Sequence, residues 1–398
     1  MKTDSFFKSS LSPSLIGLAV VITCFFGIKV QAADAASTRY VFTNDDVPPP
    51  TQSGVTFYTV GKNGSLTLKK KVATGGVGIA GGYFGSDRVG ALATGKANCV
   101  FASDAQTPDI VGIDVTSLKT VGRASGSKND GGSSNGIGLA LNTHYLYASF
   151  SDTNTIGTFK IQPGCKIKFI SDITVGGLHG GIIDGMAIRG NMLVTTYGDG
   201  SIQSFNIAKG VPVSNGDEQD STGSRGGNTY PNGIDITQDG HFAIFGDTSS
   251  STVVEVSDLS SGKLAPTVVY RLGGTRSSSN ILLSPDETLL YISNTQGDKL
   301  TAAFFDKTTG KLTKGCASGP LKGYSSNWSY LSGLALASST GNGGTVYIAE
   351  FGAPSSIAVI NVQSSAGKCS LKEASTSPVA DPDSPGLLSI GSFPPRPF

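Results

Sequence analysis

Short apolar strands, each entered through a polar residue and most of them through a glycine, recur along this chain at a nearly constant interval. Aligned on one core residue each, they fall at Val89, Ile137, Met186, Ile234, Ile281, Leu334 and Leu387, with separations of 48, 49, 48, 47, 53 and 53 residues. A single hairpin does not use so much chain, whereas four strands and their turns do, so the period is that of a propeller blade. The unit starting at Ile137 reads completely as IGLAL, YLYASF, TIGTFKI and KIKFISDI. Its strands are separated by Asn-Thr-His, Ser-Asp-Thr-Asn and Gln-Pro-Gly, residues that let a chain reverse. Second strands of the same type are CVFASD, MLVTTYGD, FAIFGD, LLYISN and VYIAE. The repeat predicts an all-β fold, a seven-bladed β-propeller of four-stranded antiparallel blades.

The two ends complete the count. YVFTN at Tyr40, GVTFYTV and LTLKKKVAT read as second, third and fourth strands without a first, and GLLSI at 386–390 reads as a first strand without followers. Pairing them closes the ring and leaves no open edge at the join. The propeller then spans 36–393, followed by a Pro-rich tail at 394–398. No capped helical stripe appears after the leader.

Only 15% of residues are charged and the formal net charge is +1, which argues against a nucleic-acid partner or a membrane surface bound through bulk charge. The first 35 residues have the anatomy of a signal peptide: Lys2 and Lys8, the apolar run LIGLAVVITCFFGI, then the small residues of KVQAADAAS, with cleavage after Ala32 or Ala35. That run is short for a spanning helix, so the mature chain is expected to be secreted or periplasmic, without a membrane span. Cys24 follows Val-Ile-Thr, a weak version of a lipoprotein box, and soluble export is the preferred reading. Cys99, Cys165, Cys316 and Cys369 remain, an even number suited to one or two disulfides in an oxidising compartment, with three pairings open. No cysteine and histidine spacing suits zinc. Asn63-Gly-Ser and Asn327-Trp-Ser are glycosylation sequons for a eukaryotic source. A monomer is expected.

The strands YVFTN, LYISN and VYIAE, with SPDETLLYISN at 284–294, resemble the repeats of the seven-bladed lactonase-type propellers. That group includes bacterial 6-phosphogluconolactonase, fungal carboxymuconate cyclase and the YVTN surface-layer propellers. The resemblance covers nearly all of the mature chain. It implies a fold group whose members differ in activity.

In a propeller the loops leading into the innermost strands share one face with those between second and third strands, and ligands favour that face. Two positions before each repeat anchor stand Asp87, Asn135, Asp184, Asn232, Ser279, Ser332 and Pro385. Four successive blades thus bring a carboxylate or amide oxygen to the channel mouth, the ligand types of a hard cation such as Ca2+. YPNG at 230–233 and IDGMAI at 183–188 also resemble metal-binding loops of the gluconolactonase and senescence-marker propellers. That likeness implies a divalent cation that polarises a lactone carbonyl, held by Asp184, Asn232 and Asn135, with Asp87 as a fourth candidate. The family is six-bladed with its loops in another order. Asx-Gly is equally the chemistry of a tight turn into a strand, and turn use is the simpler account.

His179, in the Gly-rich stretch GGLHGGIIDG, precedes Asp184 and is a candidate acid–base group; together they are the candidate catalytic pair. His144 and His241 fall in hairpins on the opposite face. Arg88, Arg225 and Arg276 fall in loops toward the mouth, where they can receive an anionic sugar acid, although loop arginines are most often simply solvated. Asp104, Asp152, Asp199, Asp247 and Glu350 recur at the ends of second strands, as expected of turn caps. Nucleophile-elbow, phosphate-loop and zinc-protease motifs are missing. Two functions remain: a lactonase-type hydrolase of a small lactone or sugar acid, and a non-catalytic propeller that binds a glycan or protein.

Overall fold

The computed structural model describes residues 39–395 apart from 46, 82–86, 95–96, 127–135, 223–229, 249–250, 274–277, 295–296, 325–329, 341–342, 353–354, 366, 382–386 and 388. Seven sheets, each built on four antiparallel strands, follow one another along the chain. Blade 2 covers 89–125, blade 3 covers 137–174, blade 4 covers 183–220, blade 5 covers 230–271, blade 6 covers 278–317 and blade 7 covers 330–380. Blade 1 takes Tyr40–Asn44, Gly54–Val60 and Leu66–Ala73 from the start of the chain and its innermost strand, Ile390–Phe393, from the end. The closing strand pairs antiparallel to the first, with Tyr40 opposite Phe393 and Thr43 opposite Ile390. It lies a few residues beyond the expected 386–390, because the chain spends Leu387 as a buried anchor before it begins to pair. Two single 3-10 turns, at Ser151–Thr153 and Pro163–Cys165, are the helical exceptions among the described residues.

Apolar residues are spent between blades. Each of seven buried clusters lies between one neighbouring pair, including blades 7 and 1 at the join. A strand alternates its side chains between its two faces, and here both faces are covered. Val100 and Ala102 pack toward blade 1, while Cys99 and Phe101 pack toward blade 3. Leu290 and Ile292 pack toward blade 5, and Leu289 and Tyr291 toward blade 7. This is why the second strands read as near-continuous apolar runs rather than as alternating ones. Outer strands such as Leu66–Ala73 are largely exposed and carry lysines.

Disulfides Cys99–Cys165 and Cys316–Cys369 also join neighbouring blades, 2 to 3 and 6 to 7. They close loops with sequence separations of 66 and 53 residues, each of which restricts the unfolded chain by about 4 kcal/mol in the loop-entropy account. Gly112 and Gly122 permit the first of these: a Cβ on either would meet the Cys165 carbonyl oxygen at 1.9 or 2.5 Å.

Candidate functional site

The innermost strands surround the channel, and the entrances of those in blades 4 to 7 share one irregularity. Register slips between Ile183 and Gly185, Pro231 and Ile234, Ser278 and Asn280, and Leu331 and Leu334. The extra residues are Asp184, Asn232 with Gly233, Ser279, and Ser332 with Gly333. Four of the polar positions found in the repeat, in blades 4 to 7, therefore sit in β-bulges, and a bulge re-aims a side chain while breaking the ladder.

Side-chain hydroxyls link the entrances of neighbouring blades. Thr196 Oγ1 accepts from the Gly185 amide at 2.9 Å and donates to the Asn232 carbonyl of the next blade at 3.1 Å. Ser103 Oγ donates to the Ile137 carbonyl at 2.7 Å, Ser151 Oγ to the Ile183 carbonyl at 3.2 Å, and Ser332 Oγ to the Leu387 carbonyl at 3.2 Å. The Ser389 hydroxyl accepts from the Arg88 amide at 2.9 Å, joining the last segment of the chain to blade 2. This polar girdle stitches successive blades around the entrance.

Asp184 and Asn232 are 5% and 6% exposed. The Asn232 Oδ1 is buried without a hydrogen-bond partner, so it does not cap its own turn. Asn135, Arg225 and Arg276 lie outside the described residues.

Deeper in the channel is a cavity of about 210 Å³, reaching from Asp87 at the strand entrances to Leu141 and Ile188 near their exits. Its walls are mostly aliphatic, with Leu139, Met186, Ile234 and Leu334 among them, and its polar side chains are Asp87, Asp235 and Asn280. Asp87 lines the cavity and is partly buried. Burial raises its pKa to about 6, with repulsion from Asp235 adding to the rise and a hydrogen bond from the Asn280 amide opposing it. Asp235 is held in place by the Ile236 and Leu283 amides, at 2.8 and 2.9 Å. Sequence reading names Asp87 and misses Asp235 and Asn280, which sit one residue after and one residue before their anchors.

Arg88 is a buried arginine, 1% exposed, and does not line this cavity. Its guanidinium donates through Nη2 to the Gly81 carbonyl and lies so close to Gly136 that a Cβ there would approach it to 2.7 Å. His179 is well exposed and pairs through Nε2 with Asp220 at 2.8 Å. Its backbone amide donates to Asp199 at 2.9 Å, and no described contact joins it to Asp184. Burial raises the Asp199 pKa, but four hydrogen bonds from the Ser201 hydroxyl and the Ser201, Gly181 and His179 amides outweigh it and leave the group below the usual carboxylate range. Asp104 likewise takes a hydrogen bond from Thr74 of the preceding blade at 2.8 Å. His144 and His241 occupy hairpins between first and second strands.

A family model described as Lactonase, 7-bladed beta-propeller, matches residues 111–382. Among solved structures, a candidate 6-phosphogluconolactonase from Bacteroides fragilis superposes with a TM-score of 0.67 at 13% identity, covering 90% of this chain and 99% of that one. A second candidate 6-phosphogluconolactonase, from Bacteroides uniformis, gives 0.66 at 11% identity, covering 89% and 100%. A functionally unknown protein from Desulfotomaculum acetoxidans gives 0.61 at 17% identity, covering 89% and 99%. At these identities the structural likeness carries the fold alone. No curated protein sequence matches significantly. The family match spans well over half of the sequence, and the chain belongs to the seven-bladed lactonase propeller family.

Proposed function

We propose that this protein is an exported lactonase that binds a small lactone or sugar-acid derivative in the channel and opens its ring with water, acting as a monomer. The observation that carries this reading is Asp87, a carboxyl group with a pKa of about 6 on a cavity whose lining residues are mostly aliphatic. At neutral pH it is mostly ionised and remains basic enough to take a proton, the poise of a general base. In the proposed reaction, water attacks the lactone carbonyl as its proton passes to Asp87. The tetrahedral adduct collapses with cleavage of the ring C–O bond, and the leaving oxygen recovers the proton to give the hydroxy acid. Asn280 positions Asp87 and offers an amide donor to the substrate oxygen.

A divalent cation at the entrance is supported by fewer groups. Asp184 supplies one carboxylate and Asn232 one amide oxygen, and no three His, Cys, Asp or Glu side chains gather as metal ligands among the described residues. Calcium takes six to eight oxygens, so the steps above run through protein groups alone. Export is supported by the leader sequence and by the two interblade disulfides, bonds that persist in oxidising compartments. No described helix is long and apolar enough to cross a membrane.

The test is hydrolysis of a lactone panel by the purified protein and its Asp87→Asn variant. The variant is expected to lose ~10²–10⁴-fold in kcat, and the wild-type kcat/KM to rise with pH through about 6 as the base form appears. The unfolded carboxyl ionises near 3.8 and the folded one near 6, so folding stability falls as pH rises between those values. Asp87→Asn should therefore raise the melting temperature above pH 6 while removing activity. If no lactone is turned over, the protein is instead a propeller that binds a glycan or protein. A melting temperature unchanged by added calcium or by chelator would remove the cation.

A further inference from the structure

We infer that the channel selects an uncharged lactone ring and discriminates against substrates bearing phosphate or carboxylate; this rests on the lactonase reading above. The chemistry of the cavity wall sets this preference. Its ionisable groups among the described residues are both acidic, Asp87 and Asp235, and the remaining polar side chain is the neutral amide of Asn280. Asp235 already acts on a neighbouring charge, since it contributes to holding Asp87 toward its protonated form. A substrate anion entering the same space meets the same repulsion.

The nearest arginine in sequence does not relieve this. Arg88 adjoins Asp87 in the chain, but its side chain is buried, bonded to the Gly81 carbonyl and packed on Gly136, away from the cavity. The aliphatic wall, with Leu139, Met186 and Ile234, suits the carbon face of a ring, while Asp87 and Asn280 address its ester. The cavity, of about 210 Å³, has room for a small lactone ring.

Selection of this kind separates the chain from the 6-phosphogluconolactonase activity proposed for its structural neighbours. The experiment measures kcat/KM of the purified full chain for δ-valerolactone, D-glucono-1,5-lactone and 6-phospho-D-glucono-1,5-lactone, each corrected by the Asp87→Asn variant for spontaneous opening. The two neutral lactones are expected to exceed the phosphorylated one by roughly 100-fold, about what one like charge nearby costs. Asp235→Asn should narrow that ratio by raising the value for the phosphorylated substrate, while the wild-type ratio decides the matter if the variant folds poorly. Equal values, or preference for the phosphate ester, would overturn the selection and leave the lactonase reading standing. Failure to open any of the three above the Asp87→Asn background would overturn both.

Discussion

Glu350 illustrates how one position in a repeat can change its chemistry. Its counterparts at the ends of other second strands include Asp104 and Asp199, which accept hydrogen bonds from neighbouring loops. Glu350 is 2% exposed, bonded to Ser356 through Oε2, and its Oε1 is buried without a hydrogen-bond partner. Burial first, and then repulsion from Glu373, lift its pKa to about 7 against the opposing Ser356 bond. Between 4.5 and about 7 the folded chain keeps a proton that the unfolded chain has released, so stability declines as pH rises through that window and then levels off. The loss is on the order of 3 kcal/mol. Glu350→Gln should raise the melting temperature at pH 8 and leave it nearly unchanged at pH 5. A pH-independent effect in thermal melts would show that the carboxyl ionises freely in the fold.

At the scale of elements, the inner strand depends on its bulge and on the hydroxyl that spans it. Thr196 is fully buried and serves two blades, through Gly185 and Asn232. Thr196→Val keeps the shape and leaves a buried amide and a buried carbonyl without this partner, at a cost of about 1–3 kcal/mol for each group left unsatisfied. Its urea midpoint should fall without a change in m-value, and Thr196→Ser should recover most of the loss. If Thr196→Val unfolds at the wild-type midpoint, the girdle is decoration. The bulges were only half legible in sequence. Asn232-Gly233 announces a turn or bulge through its residue types, but Ser332-Gly333 and Ser279 give weaker signals. The direction in which Asn232 is turned by the bulge is a property of the paired strands.

Over the whole molecule, stability rests on contacts between blades and on closure of the ring. Leu387, Ile390 and Phe393 are all at least 95% buried at the join, and at roughly 2 kcal/mol for each apolar side chain their loss amounts to about 6 kcal/mol. That is comparable with the net stability of many domains. A chain ending at Gly386 should therefore melt at a much lower temperature and self-associate through the uncovered Tyr40–Asn44 edge, which size-exclusion chromatography and calorimetry would detect. A monomeric, cooperatively melting truncation would mean that the last strand is dispensable. The number of blades, the residues of each second strand and the need for a C-terminal partner for YVFTN were all determined by the sequence itself, because alternation and turn chemistry act over a few residues and repeat. Sequence also put Asp87 among the candidate groups. Only the tertiary structure brought Asp87 together with Asn280 and Asp235, buried Arg88 away from the cavity, and paired His179 with Asp220 instead of Asp184. Those encounters join residues distant in the chain, and no local pattern encodes them, since they exist only once seven separate strands converge on one axis.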